Sequence, residues 1–157
     1  MEQNVQCVIV KVQNEQFGIN IRQVRCIEPL QNITSIPKVP SYVKGITNLR
    51  GSMIPVIDLR ERLSLGTASY TKQARLVVVI IRGMEVGLIV EAANEIINID
   101  YNQIDTAPDI IKDNKMEFIQ GLAKAKGGIL ILLDVEKLLF TEGNDFCLEQ
   151  LTAPKTR

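Results

Sequence analysis

The sequence predicts a mainly β fold: two small barrels fused into one unit, related by internal duplication, with a few short helices. Two observations carry the prediction. The halves echo each other without gaps: residues 45–63, GITNLRGSMIPVIDLRERL, fall on residues 121–139, GLAKAKGGILILLDVEKLL, at a shift of 76. Gly45, Gly51, Asp58 and Leu63 land on Gly121, Gly127, Asp134 and Leu139. A second block agrees at a shift of 69, where Val8, Val10, Val12, Phe17-Gly18 and Ile27 land on Val77, Val79, Ile81, Val86-Gly87 and Ile96. The second observation is a series of short apolar runs punctuated by Gly turns, with little helical periodicity. A half of roughly 70 residues has only a marginal core of its own, so the halves should share an interface. The expected subdomains are 1–66 and 72–140, followed by a short helix and tail over 141–157.

The elements follow in order. Residues 5–13 alternate Val5, Cys7, Ile9 with Val8, Val10, Val12, and both faces are apolar, as in a strand buried on two sides. Asn14-Glu15 makes a tight turn, and Phe17, Ile19 and Ile21 mark the return strand. Ile21, Val24 and Ile27, spaced by three, read as one helical turn that Pro29 stops. Residues 31–41, with Pro37 and Pro40, form an extended connection. A short turn through Tyr42 and Val43 ends at Gly45, in the manner of a left-handed cap. Residues 46–49 and 53–57 pair around Arg50-Gly51-Ser52, with Pro55 marking an edge or a position where its missing N–H does no harm. Asp58 caps a short helix, with Glu61 at the capping-box position. The polar stretch 64–74 links the halves.

The second copy repeats the plan. A strand over 75–82 turns at Arg82-Gly83-Met84 and returns over 85–90, followed by an irregular piece through Ile97. A loop over 100–117 contains Pro108 and Asp113-Asn114. The hairpin 122–133 turns at Lys126-Gly127-Gly128, Asp134 caps a short helix, and Asn144 caps a last one with Phe146, Cys147, Leu148 and Leu151 on its apolar side.

Composition narrows the function. Lys plus Arg equals Asp plus Glu at 18 each, so the basic excess that grips nucleic acid or anionic lipid is absent. A single-strand-binding barrel also wants aromatic platforms, and this chain has three Tyr, four Phe and no Trp. With no histidine at all, Ser–His and Cys–His nucleophile pairs and His metal sites are excluded. The start, MEQNVQ, lacks the basic and apolar regions of an export signal, and the longest aliphatic run, Leu76 to Ile81, is too short to span a bilayer. Cys7, Cys26 and Cys147 form no CxxC and read as thiols in a reducing cytoplasm. An enzyme using Asp58 or Asp134 as acid or base is the remaining catalytic reading. Their recurrence before short helices favours capping, and no catalytic residue, metal or cofactor is expected.

The segment Val43 to Leu63, VKGITNLRGSMIPVIDLRERL, resembles the signature of the CheW family of chemotaxis coupling proteins. Phe17-Gly18-Ile19-Asn20-Ile21, the Val24–Ile27 turn, Ile36-Pro37 with Pro40, Val86 to Val90 and Gly121 to Leu139 match the rest of the family pattern in order, so the resemblance covers roughly residues 5–140. At 157 residues the chain leaves no room for a kinase core or receiver domain. The resemblance implies two five-stranded, SH3-like barrels and a non-catalytic, cytoplasmic adaptor without cofactor. It implies two partners: the regulatory domain of the histidine kinase CheA, and the cytoplasmic tip of a chemoreceptor, a methyl-accepting chemotaxis protein. A coupling protein of twitching motility or of another kinase array would share the pattern.

The resemblance also assigns surfaces. Tyr42, Val43, Gly45, Arg50 and Gly51 match the kinase-contacting region by position, although turn geometry alone would account for the two glycines. An apolar groove between the barrels suits the helical receptor tip, with Val24, Ile27, Leu76, Val78 and Ile96 at or near it; for each of these, as for Ala93, simple core packing is the competing reading. Arg60, Arg62, Arg75 and Arg82 read as a solvated face with a small steering role. There is one departure. The family commonly places an acid two residues past Val24, able to pair with the Arg of NLRG, and here that position is Cys26. Glu28 or Asp58 is the expected substitute partner of Arg50, while Glu95 and Lys126 keep the pair in the second barrel.

Overall fold

The computed structural model describes residues 3–67, 69–105, 118–125 and 127–140. Among the described residues eleven strands form two sheets, ordered β8-β1-β2-β11-β10-β9 and β3-β6-β7-β5-β4. In chain order they are β1 (Asn4–Val12), β2 (Glu15–Asn20), β3 (Val24–Pro29), β4 (Val43–Leu49), β5 (Ser52–Asp58), β6 (Arg75–Ile81), β7 (Met84–Val90), β8 (Ala92–Asp100), β9 (Ile104–Asp105), β10 (Ile119–Ala125) and β11 (Gly128–Leu133). Two short helices, α1 (Leu59–Arg62) and α2 (Val135–Phe140), follow β5 and β11. The five-stranded sheet is called barrel 1 and the six-stranded sheet barrel 2; both are of SH3-like type.

The duplication is realised down to the irregularities. β1 pairs antiparallel with β8 and slips between Ile9 and Val10; β3 pairs with β6 and slips at the matching place, between Val24 and Cys26. β2 runs parallel to β11 with Gly18 opposite Leu132, and β7 runs parallel to β5 with Gly87 opposite Val56. β4–β5 and β10–β11 both slip at their first pair, at Val43/Gly45 and Ile119/Gly121.

The boundary expected near residues 67–71 therefore separates the two copies of the repeat but not the two sheets. Barrel 2 takes β1 and β2 from the first copy, and barrel 1 takes β6 and β7 from the second. The cause is legible in β1 and β6, which are apolar on both faces. Val8, Val10 and Val12 pack with Val77, Val79 and Ile81 in a central core between the sheets. Their alternate neighbours turn the other way: Cys7 and Ile9 into barrel 2, Leu76 and Val78 into barrel 1. A strand wet on one face would waste this pattern; placed between two cores it buries both faces, each fully buried Val or Leu contributing roughly 1.5–3 kcal/mol.

Several elements differ from expectation. The first turn is Gln13-Asn14, both with positive φ (51° and 64°), which is the mirror-image turn favoured by hairpins. The helical turn expected over 21–27 is a 3₁₀ turn, Ile21–Gln23, and Val24–Pro29 is a strand. The slip that leaves Arg25 unpaired puts Val24 and Ile27 on one face despite their odd spacing, and this imitated a helix. Its copy, expected to be irregular, is the nine-residue strand β8. Pro55 lies in an interior strand, but the ladder from β5 to β7 begins only at Val56, so the missing N–H falls outside it. The loop residues Pro108 and Asp113-Asn114 and the helix expected after Asn144 lie outside the described residues.

Candidate docking surfaces

The tip of the β4–β5 hairpin is built by a two-residue turn. Arg50 and Gly51 both have positive φ (53° and 89°), and the Gly51 N–H donates to the Asn48 side-chain oxygen at 3.0 Å. Arg50 is thereby held out into solvent, its side chain 74% exposed, and its Nη2 donates to Glu28 Oε2 at 2.9 Å. Glu28 is thus the carboxylate that substitutes at Cys26. It stands two residues further along β3, opposite Leu76. Cys26 is half-buried against the barrel 1 core, and burial followed by the Glu28 charge pushes its thiol pKa up, with Arg50 and Arg25 opposing. Asp58, the other candidate partner, is engaged elsewhere. Beside the tip, Met53 pairs with Asn48 and is 65% exposed; its copy in barrel 2, Ile129, pairs with Lys124 and is 61% exposed. Nothing in the residue types alone marks this recurring exposed apolar side chain, although the repeat alignment places the two on each other. Lys126 lies outside the described residues, so the expected Glu95–Lys126 pair does too; Glu95 itself is exposed on β8.

The five residues matched to the kinase side do not form one patch. Arg50 and Gly51 sit at the tip. Tyr42 and Val43 sit at the other end of the seven-residue strand β4, about 20 Å away at the usual strand rise. Val43 is buried in the central core, and the half-buried Tyr42 ring lies 5.3 Å below the Arg62 guanidinium. Gly45 caps no helix; it lies inside β4 at the slip, with φ 141°. A Cβ there would stand 1.9 Å from the Thr34 carbonyl oxygen, because residue 34 exchanges two backbone hydrogen bonds with Ile46 at 2.8 and 2.9 Å. Gly45 is thus required by the close approach of the 31–36 segment.

The groove residues also divide. Val24 and Ile27 are half-buried on the face of β3 that borders the central core. Leu76 and Val78 point through the opposite face into barrel 1 and are fully buried, so they offer no surface to a partner. Strand alternation is the reason: on β6 it is Val77 and Val79, opposite Ile27 and Val24, that share their face. Ile96 is on the other sheet, opposite Val8, and is 55% exposed, whereas Ala93 is buried.

Charges cluster where each helix meets a turn from the opposite sheet. Asp58, buried, accepts from the N–H groups of Arg60 and Glu61 at 2.9 and 3.3 Å and from the Tyr70 hydroxyl, so it is a cap with its oxygens occupied. The hydrogen bond to Asp58 and burial push the Tyr70 pKa well up, burial contributing more. Glu61 pairs with Lys44 rather than closing a capping box. Arg60 bonds Glu91 at 2.9 Å, and Glu91 also accepts from the Gln13 N–H at 3.0 Å, tying α1 to the β1–β2 turn. In the second copy Asp134 accepts from the Lys137 N–H at 3.0 Å, and Arg82 of the β6–β7 turn bonds Glu136 at 3.1 Å and lies 4.5 Å over the Phe140 ring. Arg75 donates to the carbonyls of Lys72 and Ala74. The four arginines read as a solvated face are therefore each held by a partner. Among the described residues no three His, Cys, Asp or Glu are grouped to hold a metal, and no helix is long and apolar enough to cross a membrane.

Residues 6–142 match the family model described as the CheW-like domain. The chain is 33% identical over 137 residues to the chemotaxis protein CheW of Bacillus subtilis, covering 87% of this chain and 88% of that protein. It is 28% identical over 140 residues to the protein FrzA of Myxococcus xanthus, covering 82% and 87%. The crystal structure of the scaffolding protein TtCheW from Thermoanaerobacter tengcongensis is similar with a TM-score of 0.81 at 34% identity, covering 92% of this chain and 93% of that one.

Proposed function

The chain belongs to the CheW-like domain family, and on that premise we propose that it is a non-catalytic adaptor of a chemotaxis array, working in the cytoplasm, that couples a chemoreceptor tip to the kinase CheA. One observation carries the reading beyond family membership. The signature segment folds into a hairpin whose tip presents Arg50, braced by Glu28, beside the exposed Met53. A braced cation next to an exposed apolar side chain is the composition of a protein-docking hot spot. The kinase side is accordingly assigned to Arg50, Gly51 and Met53, with Tyr42, Val43 and Gly45 supporting the hairpin from within. The receptor side is assigned to Val24, Ile27 and Ile96, with Leu76 and Val78 forming the wall behind.

Capture experiments with a purified receptor signalling tip and with a CheA regulatory domain test the proposal. Binding to both is expected, and binding to neither would overturn it. Binding to the components of a different receptor–kinase array, with none to these, would select the related-system reading that the likeness to FrzA keeps in view.

A further inference from the structure

We infer that the two copies of the repeat are obligate folding partners, and that the linker alone decides whether the partner copy comes from the same chain or from a second one, so that the protein also forms a hinge-exchanged dimer. Neither sheet is made by one copy: β1 needs β8, β2 needs β11, β3 needs β6 and β5 needs β7. The central core draws its apolar strands from both copies. An exchange in which the first copy of one chain pairs with the second copy of another keeps every one of these contacts, which is why such exchange is a low-cost route to dimers.

The structure also places the hinge. Ser64 and Leu65 donate to the carbonyls of Glu61 and Arg60, Arg60 Nε donates to the Leu65 carbonyl, and Tyr70 donates to Asp58. All of these ties are to α1 and its cap, so Ser64, Leu65 and Tyr70 travel with the first copy. Beyond them the hydrogen bonds found among the described linker residues are local: Gln73 N to Thr71 Oγ1 at 3.1 Å, Ala74 N to the Thr71 carbonyl at 3.1 Å, and Arg75 to the carbonyls of Lys72 and Ala74. The hinge is therefore Thr71–Gln73, three exposed residues whose opening costs one local turn, while Ala74 is buried and stays with the second copy.

The test uses two versions of the full chain, one carrying an affinity tag. They are unfolded together, refolded and captured by the tag, with copies mixed after folding as the control. A short linker gives the intramolecular partner an effective concentration on the order of 1 mM, so refolding with the tagged chain at about 100 µM should leave about a tenth of the untagged chain captured, and refolding with it at about 1 µM about a hundredfold less. The control should capture none. No capture at any refolding concentration would overturn the inference, and so would equal capture from copies mixed after folding, which is the mark of a surface contact. A protease site replacing Thr71–Gln73 gives a second readout. After cleavage the two pieces of the folded protein should elute as one species with unchanged strand content; pieces that separate and stay folded would overturn the inference.

Discussion

Where barrel 1 carries Leu76, barrel 2 carries Cys7, and where barrel 1 carries Ile89, barrel 2 carries Asn20. Leu76 and Ile89 are fully buried and pack with Ile54, Val56 and Val78. At the matching place in barrel 2 a cavity of about 250 Å³ opens between Cys7, Asn20, Gly18, Ile104 and Leu132. The cap residues differ in the same direction among the described residues: Asp58 is buried under Tyr70, whereas Asp134 is half-buried and accepts from the Lys137 N–H. One backbone plan thus tolerates two fillings. The residues that recur set the turns and slips, and those that diverge set how tightly each barrel is packed. Among the described residues barrel 1, whose hairpin carries Arg50, is the more tightly filled of the two.

The comparison breaks most readily at the paired glycines. Gly45→Ala drives a Cβ to 1.9 Å from a backbone oxygen at a φ that side chains avoid, while Gly121→Ala meets the Ile104 methyl at 2.7 Å and the Asp105 carbonyl at 3.0 Å. A side chain can step aside and a backbone carbonyl cannot. Gly45→Ala should destabilise by about 4 kcal/mol and Gly121→Ala by about 2, read from urea midpoints. Equal losses would mean that the two slips are equally forgiving, against the geometry.

Core truncation sharpens the contrast. Leu76→Ala removes a fully buried side chain from a filled core and should cost about 3 kcal/mol. Cys7→Ala at the matching site, beside an existing cavity, should cost about 1 kcal/mol. A Cys7 loss as large as the Leu76 loss would show that barrel 2 is packed as well as barrel 1.

Much of this was readable beforehand, and the exceptions have physical causes. The turn at Arg50-Gly51, the Asp58 and Asp134 caps and the two-faced burial of β1 are local or periodic signals, and they stand in the structure much as the residues implied. The exchange of hairpins was not readable, because the pattern of Val8, Val10 and Val12 says that a face is buried but not which copy covers it. β3 was misread because a bulge at Arg25 converts strand spacing into helical spacing. The assignment of Leu76 and Val78 to a surface failed on alternation, since family position says which strand is involved but not which of its faces. The Arg50 partner was legible only as a choice between Glu28 and Asp58; that Glu28 is the next same-face residue after Cys26 follows from β3 being a strand, which the spacing had hidden.

Alkaline pH probes the same asymmetry more gently. Burial pushes the Cys7 thiol from 9.0 up to about 11, and barrel 1 has Leu76, which does not ionise, in its place. The raised folded-state pKa fixes the sign: below pH 9 both states hold the proton and nothing is lost, whereas between pH 9 and 11 the unfolded chain releases it and the folded chain does not, so stability falls. The loss should reach about 2 kcal/mol by pH 11 and be absent from Cys7→Val, with tyrosine ionisation adding a further decline common to both. Identical pH profiles for the two proteins would place the alkaline weakness elsewhere.

The smallest expected effect on stability comes from the hairpin tip, and there the readout that matters is binding. The Arg50 side chain is 74% exposed, so its pair with Glu28 is well screened, and pairs of this kind contribute roughly 0–1 kcal/mol. Arg50→Ala should leave the urea midpoint within error of the parent. If barrel 1's tip is the kinase-docking end, the same substitution should weaken capture of the CheA regulatory domain about tenfold, in the range of a truncated interface cation. Glu28→Gln should weaken it less, because it frees Arg50 without removing it. Lys124→Ala, beside Ile129 on barrel 2, separates the two ends: if it weakens that capture as much as Arg50→Ala does, the functional difference drawn between the barrels fails while the structural one stands. Unchanged capture in Arg50→Ala, with Met53→Ser equally silent, would move the kinase surface off this hairpin altogether.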